Sequence, residues 1–452
     1  MSSFVDSLTV MEKELKSALP DIGGAALITD YSPDENGMWT DAFNQALRDN
    51  PVLRIPASDK PYMIDGSIIV PSYRTLYCDE GARILLAPGV RVLMLRNEHT
   101  HNGSFAPIDT SDRDHSISVI GGRWEESNTK RGGYGYTGRY DLQEDGGYDW
   151  QGVSTAMLFN NLDGLVLKNV TFRHTAGFSV QTGDLLNAVM EDIRFEKCFA
   201  DGLHLNGASE NIVIRNVSGQ VGDDLVALNM YDWINSSVNY GPIRNIIAEN
   251  LELSEDSPYK ALRIEPGIYY YANGTPVDCS LEHALIKRVK GIMTFKMYYQ
   301  TPGYKKGEEP ERGDIGSGRD ITFEDIDVDL AAPIDGMPDY LESRPLTGWF
   351  AAFEIGANFD DITFKNIDII LHDNYPLSRL VTVGPKSVRF DDYEVFDPYC
   401  SCRVGRMTLE SIKVNGIPCA DADKLVKTVV FDDLYPDMPS SGKGEIGEIV
   451  IS

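Results

Sequence analysis

The octapeptide Leu165-Val166-Leu167-Lys168-Asn169-Val170-Thr171-Phe172 recurs along the chain with the same order of apolar and polar residues. Further copies begin at Ala188, Ile212, Ile246, Ile321, Ile362 and Met407. The first copies begin 23 and 24 residues apart, and the later gaps widen to 34, 75, 41 and 45 residues. Most copies carry Asn or Asp at one fixed position, because both residues tolerate the left-handed backbone of a turn. A β-type repeat of this length with a fixed turn residue is typical of a solenoid.

These repeats predict an all-β fold, a single-stranded right-handed parallel β-helix. The Leu-x-x-Leu-x-Leu pattern of leucine-rich repeats, which share the period, is absent. Helical periodicity is clear only near the start, at 7–19 and from Trp39 to Leu47, and it predicts a short helical cap. We expect three regions: an N-terminal helical segment and cap at 1–50, the β-helix at 51–425, and a C-terminal tail at 426–452 on or beyond the last rungs.

A second strand in each coil predicts a polar stripe along one face, because one apolar residue alternates with polar neighbours. We align these strands as Ser179-Val180-Gln181, His204-Leu205-Asn206, Ala227-Leu228-Asn229, Arg263-Ile264-Glu265 and Thr294-Phe295-Lys296. The candidate substrate contacts on this stripe are Gln181, His204, Asn206, Asn229, Arg263, Glu265 and Lys296. A plain exposed histidine and a surface ion pair are the alternatives for His204 and Arg263.

Inserted loops between the repeats are rich in tyrosine, at 132–150, 231–240 and 269–271. Aromatic rings on such loops suit stacking on sugar rings, and the alternative is a loop packed on itself.

Two of the stripe strands follow aspartate-bearing turns, Ala200-Asp201-Gly202 and Gly222-Asp223-Asp224. If the strands stack about 4.8 Å apart, three carboxylates share one patch. Each carboxylate then raises the pKa of the others, so one of them holds a proton at neutral pH. An acid beside a carboxylate is what hydrolysis of a glycosidic bond requires. Turn capping is the alternative, and it explains Asp201 alone better than it explains all three.

Composition and charge limit the classes of partner. The chain is 42% hydrophobic, which provides a large core, and its formal charge of −28 argues against nucleic acid and against anionic membranes. Its apolar runs are shorter than the roughly 20 residues of a membrane helix, and the N-terminus lacks the features of a signal peptide. The six cysteines lack the paired spacing of a zinc site. We therefore expect free thiols, no metal, no cofactor and a cytoplasmic location, and the sequence leaves a homo-oligomer open.

The aspartate turns resemble those of the polygalacturonase family, family 28 of the glycoside hydrolases. The family's Asn-Thr-Asp-Gly, often followed by Ile-His, corresponds to Phe199-Ala200-Asp201-Gly202-Leu203-His204, and its Gly-Asp-Asp-Cys corresponds to Gly222-Asp223-Asp224-Leu225. The segments 28–31, 53–56, 80–84 and 117–124 resemble the family's opening coil and the next rung. The resemblance covers roughly residues 25 to 300.

This resemblance implies that Asp223 is the general acid and that Asp201 and Asp224 hold and deprotonate the attacking water. It also implies inversion at the anomeric carbon, with opposed carboxylates about 6.5–9.5 Å apart. Two departures concern the substrate: the family's Gly-His-Gly has no counterpart in 233–245, and its Arg-Ile-Lys appears as Arg263-Ile264-Glu265. The glutamate reverses the charge where an anionic sugar would dock, which favours a neutral or mixed oligosaccharide.

Three classes of function remain open. The first is an inverting, exo-acting glycoside hydrolase on a plant-type oligosaccharide. The second is a polysaccharide lyase or epimerase on the same scaffold, which often uses calcium, and clustered aspartates suit calcium. The third is a non-catalytic β-helix that binds glycans, which has no need for crowded aspartates.

Overall fold

A computed structural model describes residues 3–101, 103, 106–131, 155–232, 236–257, 260–291, 295–298, 315–329, 351–371, 379–384, 387–390, 393–396, 401–428 and 443–452. Within 295–298, 387–390 and 393–396 it describes the backbone only. The tyrosine-rich insertion at 132–150 lies outside the described residues.

The helices are α1 (Ser3–Ser17), α2 (Thr40–Asp49) and α3 (Ala422–Leu425), with single 3-10 turns at Ile28–Asp30 and Thr110–Asp112. The strands of the opening coils are β1 (Ala26–Leu27), β2 (Val52–Ile55), β3 (Tyr62–Ile64), β4 (Ile68–Val70), β5 (Thr75–Cys78), β6 (Arg83–Leu86), β7 (Leu95–Asn97), β8 (Asp114–Ile120) and β9 (Arg123–Glu125). Those of the middle coils are β10 (Thr155–Lys168), β11 (Thr171–Arg173), β12 (Phe178–Glu196), β13 (Leu203–Asn206), β14 (Ser209–Gly219), β15 (Val226–Asn229), β16 (Ile243–Leu253), β17 (Leu262–Glu265), β18 (Gly267–Tyr270), β19 (Pro276–Cys279), β20 (Leu281–Lys290) and β21 (Phe295–Tyr298). Those of the later coils are β22 (Ser317–Asp329), β23 (Ala351–Gly356), β24 (Asn358–Ile370), β25 (Arg379–Val383), β26 (Ser387–Phe390), β27 (Tyr393–Phe396), β28 (Cys402–Glu410), β29 (Lys413–Val414), β30 (Ile417–Pro418), β31 (Val426–Thr428) and β32 (Gly444–Ile451).

Successive coils pair through parallel strands, and the predicted right-handed parallel β-helix is confirmed. The residues that begin the repeats form one continuous row of partners: Leu165, Ala188, Ile212, Ile246, Ala284, Ile321, Ile362 and Met407. Their apolar side chains are buried in one core that runs along the solenoid. The hairpins β18–β19 and β26–β27 are antiparallel and lie outside this ladder.

One coil was not identified from the sequence. Ala284 lies between Ile246 and Ile321 in the row, which accounts for the gap of 75 residues. This coil has Arg288 at the left-handed turn position, with φ 52°, where most repeats have Asn or Asp. Because this turn has arginine where the other repeats mostly have Asn or Asp, a search for the turn residue does not find the repeat.

Asparagine and aspartate side chains join the turns of adjacent coils. Nδ2 of Asn216 donates to Oδ1 of Asp192 at 2.8 Å, and Nδ2 of Asn250 donates to Oδ1 of Asn216 at 2.8 Å. Asn216 has φ 54°, a left-handed value that Asn adopts readily. The same residue type therefore sets the turn and links it to its neighbours.

The two N-terminal helices play different parts. Helix α2 packs on β2 and β4 and buries Phe43 and Leu47, so it caps the first coil as predicted. Helix α1 instead lies along the outer face of β10, β12, β14 and β16. Its Leu8 is buried against Val189, Val213 and Ile247. The prediction of a cap therefore holds for α2, whereas α1 lies on the side of the solenoid.

Among the described residues, no helix combines the length and the apolar character that crossing a membrane would need. The cysteines within the described part of the chain, Cys78, Cys198, Cys279, Cys402 and Cys419, are free thiols, as predicted.

Candidate active site

The aspartates lie in the turns that lead into β13 and β15. Leu203 pairs with Val226, which places Asp201 and Asp224 at the same level on adjacent coils. A Cβ on Gly202 would lie 2.6 Å from the carbonyl oxygen of Leu225, and a Cβ on Gly222 would lie 2.6 Å from that of Phe199. Only glycine permits this close approach of the two turns.

The predicted crowding of the three carboxylates is confirmed. One oxygen of each of Asp201, Asp223 and Asp224 lies within 4.8 Å of the others. The backbone N–H of Asp224 donates to Oδ1 of Asp201 at 3.0 Å. Asp201 and Asp224 are buried, whereas 14% of the Asp223 side chain is exposed. The oxygen spacing is shorter than the separation expected for opposed carboxylates, so inversion stays a prediction.

Arg263, on β17 of the next coil, contacts the carboxylates with each part of its guanidinium. Nε lies 2.5 Å from Oδ2 of Asp224, Nη2 lies 3.3 Å from Oδ1 of Asp223, and Nη1 lies 3.5 Å from Oε1 of Glu265. The contact with Asp224 is an ion pair without hydrogen-bond alignment, because neither carboxylate oxygen of Asp224 has a hydrogen-bond partner among the described residues. Three carboxylates therefore already compensate Arg263.

Arg131 approaches from the opposite side, and the sequence analysis missed it. Its Nη1 donates to Oδ2 of Asp223 at 2.9 Å, and the two residues are 92 positions apart. Arg131 belongs to no repeat and lies just before the undescribed insertion. The sequence contains no signal that links it to the aspartates.

The three carboxyl groups differ in pKa. Burial raises the pKa of Asp224 well above its ordinary value, although Arg263 opposes the shift. Burial and the charge of Asp201 also raise the pKa of Asp223, against Arg263 and Arg131. Burial acts on Asp201 in the same direction, but the hydrogen bond from His204 and the charges of His204, Arg263 and Arg131 together outweigh it and lower the pKa. The patch thus combines one carboxyl group with a lowered pKa and two with raised pKa values.

His204 is the partner that keeps Asp201 ionised. Its Nδ1 lies 2.6 Å from Oδ2 of Asp201, and its Nε2 lies 3.1 Å from the carbonyl oxygen of Ser236. The ring stacks on Phe178 with centroids 3.9 Å apart. Burial lowers the pKa of His204, but Asp201 and the nearby Asp232 overcome this and raise it. The exposed position considered for His204 is therefore wrong.

The amides of the stripe form a buried network. Nε2 of Gln181 donates to Oδ1 of Asn206 at 2.9 Å and to the carbonyl oxygen of Ser236 at 3.0 Å. Nδ2 of Asn206 donates to the carbonyl oxygen of Asn229, whose own Nδ2 donates to Oδ2 of Asp232 at 2.9 Å. Gln181, Asn206 and Asn229 alternate with core residues, so they point away from the solenoid core as expected, but they are not exposed. Residues 236–238 contact Gln181 and Asn206. The role of the three amides as substrate contacts stays a prediction.

The register of the stripe also differs from the sequence alignment. Lys296 pairs with Arg263, and Glu265 pairs with Asn229, so Lys296 does not occupy the position equivalent to Glu265. The same row continues from Lys296 to Glu354, a buried carboxyl that the sequence analysis missed. The side chain of Lys296 lies outside the described part of the structure. Its contact with substrate stays a prediction.

The tyrosines near the end of β17 pack mainly on each other. The rings of Tyr240 and Tyr269 stack with centroids 3.7 Å apart, and Tyr271 meets Tyr269 edge-on at 5.5 Å. Tyr240 and Tyr271 are buried, whereas Tyr270 is 47% exposed. Self-packing therefore describes the contacts of Tyr240, Tyr269 and Tyr271.

Within the described part of the chain, two clusters have the spacing of metal ligands. The aspartate trio is one, but Arg263 already lies against two of its members. Glu98, His99 and Asp114 form the other. The oxygens of Asp114 are engaged by Ser72, Asn97 and His99. Neither arrangement favours a cation.

No protein-family model and no curated protein matches this chain. Among solved structures it is similar to a family 28 exopolygalacturonase of Yersinia enterocolitica, at 11% identity over 94% of this chain and 78% of that one, with a TM-score of 0.49. It is also similar to a hyperthermoactive exopolygalacturonase of Thermotoga maritima, at 10% identity over 91% and 97%, with a TM-score of 0.49. A third similar structure is the catalytic domain of a GH87 α-1,3-glucanase in complex with nigerose, at 12% identity over 95% and 70%, with a TM-score of 0.45. Because these TM-scores are below 0.5, the function proposed below rests on the site itself.

Proposed function

We propose that this protein is a glycoside hydrolase that cleaves a glycosidic bond in a neutral or mixed oligosaccharide, acting from one end of the chain. One observation carries the proposal: three aspartates from adjacent coils converge within 4.8 Å, and their pKa values are shifted in opposite directions. Hydrolysis of a glycosidic bond needs a proton donor and a carboxylate in one place. A purely structural turn needs neither.

Asp223 is the general acid in this proposal. It is the member of the trio with an exposed side chain, so it can reach the oxygen of a leaving group. Its raised pKa keeps a proton available at a pH where Asp201 is ionised. Asp201 then accepts the proton of the attacking water and Asp224 helps to orient that water, with His204 holding the charge on Asp201.

The preference for a neutral sugar rests on Arg263. A uronate needs a free cation to bind its carboxylate, and Arg263 is surrounded by Asp223, Asp224 and Glu265. Binding a further anion there would require breaking existing ion pairs. A neutral sugar can instead donate hydroxyl hydrogen bonds to such carboxylates.

The lyase alternative often uses calcium, which the clustered aspartates would have to bind. Calcium takes six to eight oxygen ligands, and a divalent ion here would compete with Arg263 for the same carboxylates. The test below therefore includes calcium and a chelator.

The experiment is hydrolysis of a panel of neutral and uronic oligosaccharides, with the anomer of the first product read by NMR. We expect release of a neutral sugar from one end, and we expect Asp223→Asn to lower kcat by about 10²–10⁴-fold. Asp327→Asn is the matched control, because Asp327 is an exposed aspartate on β22, far along the solenoid.

Each result has a defined meaning. An Asp223→Asn variant with more than about a tenth of wild-type activity contradicts the assignment of the acid. An unsaturated product whose formation needs calcium supports the lyase reading. Sugar binding without turnover by the wild type supports a binding protein.

A further inference from the structure

A buried glutamate lies beside the site without belonging to it. Oε2 of Glu126 accepts hydrogen bonds from the backbone N–H of Ala176 at 2.7 Å and from Nδ2 of Asn128 at 2.8 Å. Its other oxygen, Oε1, is buried and has no hydrogen-bond partner among the described residues. A buried polar atom without a partner costs free energy, so its retention calls for an explanation.

The segment 126–131, which we call the strap, connects this glutamate to the active site. Trp124, Phe172, Phe195 and Gly219 form one row of strand partners, and Asp223 follows Gly219 by four residues. The row spans three coil spacings, about 14 Å in all. Five residues reach at most about 17 Å and the Arg131 side chain adds to this reach, so the strap spans the distance even with its bends at 129–131, and Arg131 contacts Asp223.

We propose that Glu126 is a positioning residue for the active site, fixing the strap at its start so that Arg131 stays on Asp223. The inference rests on the proposed function for its catalytic consequence. Glu126 makes two hydrogen bonds that hold the strap. One joins the strap to Ala176 of the neighbouring coil, and the other joins Glu126 to Asn128 within the strap. Past Asn128 the strap residues are exposed, so this anchor and the contact with Asp223 hold its two ends.

The anchor also makes the strap sensitive to pH. Burial raises the pKa of Glu126 from its ordinary 4.5 to about 8. Among the described residues, the Cys198 thiol, two coils further along, is a titratable group whose pKa is raised by burial and by the charge of Glu126. A carboxyl with a raised pKa binds its proton more tightly when the strap is closed. The equilibrium constant for closing the strap is therefore largest below pH 4.5. Between pH 4.5 and pH 8 it falls by up to about tenfold per pH unit.

Hydrogen exchange of the backbone amides at 127–131, corrected for intrinsic rates, tests the anchor without any substrate. In the wild type we expect the equilibrium constant for opening of the strap to increase by up to about 100-fold from pH 6 to pH 8. Glu126→Gln keeps the hydrogen-bond acceptor but does not titrate, so its exchange should not change over this range. Glu126→Ala should raise exchange at least tenfold at pH 6. Glu125→Gln is the matched control, since Glu125 is also buried but pairs with Arg83 and Arg123.

The catalytic consequence has its own readout. Arg131 lowers the pKa of Asp223, so Arg131→Ala and Glu126→Ala should both move the alkaline limb of the pH profile of kcat upward. The double variant should show no further shift, and Glu126→Gln should retain the wild-type limb. Unchanged exchange in Glu126→Ala, or additive shifts in the double variant, would overturn the inference. If hydrogen exchange changes as expected but no sugar is hydrolysed, the proposed function would be overturned and the role of Glu126 as an anchor would stand.

Discussion

Replacing Arg263 by methionine should destabilise the protein by about 3–5 kcal/mol at pH 7, because it removes the charge that several buried carboxylates share. The guanidinium is 18% exposed, while Asp224 is fully buried and Glu265 nearly so. Methionine keeps much of the side-chain volume, so the loss reports on charge rather than on a cavity. The estimate corresponds to breaking one buried ion pair.

The loss should depend on pH in a defined direction. The pKa of Asp224 is already raised in the wild type, and removal of Arg263 raises it further. A carboxyl whose pKa is raised in the folded state does not destabilise the fold when the pH is below its pKa in the unfolded chain, which is about 3.9. As the pH rises above that value, the carboxyl destabilises the fold increasingly. The difference between Arg263→Met and the wild type should therefore be smallest in acid, where both keep Asp224 protonated, and should increase once the pH exceeds the raised pKa that Asp224 has in the wild type.

Urea unfolding at pH 4, 5.5 and 7 measures this difference, provided that each variant unfolds in one transition with the wild-type m-value. Arg263→Lys is the control for charge, and Arg263→Met combined with Asp224→Asn should recover part of the loss. A difference below about 1 kcal/mol at pH 7, or one that does not change with pH, would refute the electrostatic account of Arg263.

Three further predictions concern other parts of the molecule. Asn216→Ala should cost about 2 kcal/mol, since it removes two hydrogen bonds and strains a left-handed backbone; Asn216→Gly should cost less, and equal losses in the two variants would contradict the backbone argument. Leu8→Ala should cost about 2–3 kcal/mol and increase proteolysis within α1 before the rest of the chain unfolds; a global loss without local cleavage would contradict an independently docked helix. The pKa of His204, followed by NMR, should lie above 6.5 and fall in Asp201→Asn; a value below 6.5 in the wild type would contradict the ion pair.

The sequence predicted the solenoid because its turns are encoded locally. Asn169, Asp192, Asn216 and Asn250 each adopt a left-handed backbone at the same point of the coil, so residue type and period report the same geometry. The aspartate trio was predictable for a related reason: a spacing of 23 residues places Asp201 and Asp224 on neighbouring coils.

Contacts made by inserted segments were not predictable. The burial of His204 depends on the segment at 236–238, and nothing in the length of an insertion says where it lies. The predicted register of Lys296 was wrong for the same reason. The hairpin β18–β19 lies between β17 and Lys296 in the chain, and its length does not indicate how the next strand pairs. Arg131 reaches Asp223 across three coils, and only the folded strap brings them together.

The position of α1 has a consequence for synthesis on the ribosome. This helix leaves the exit tunnel long before the strands it contacts, because its Leu8 packs on Val189, Val213 and Ile247. At about 5–20 residues per second, the last of these strands follows the helix after roughly 10–50 s. During that interval the apolar side of α1 has no native surface to cover, so a nascent chain stalled before residue 247 should recruit chaperones that a longer one releases.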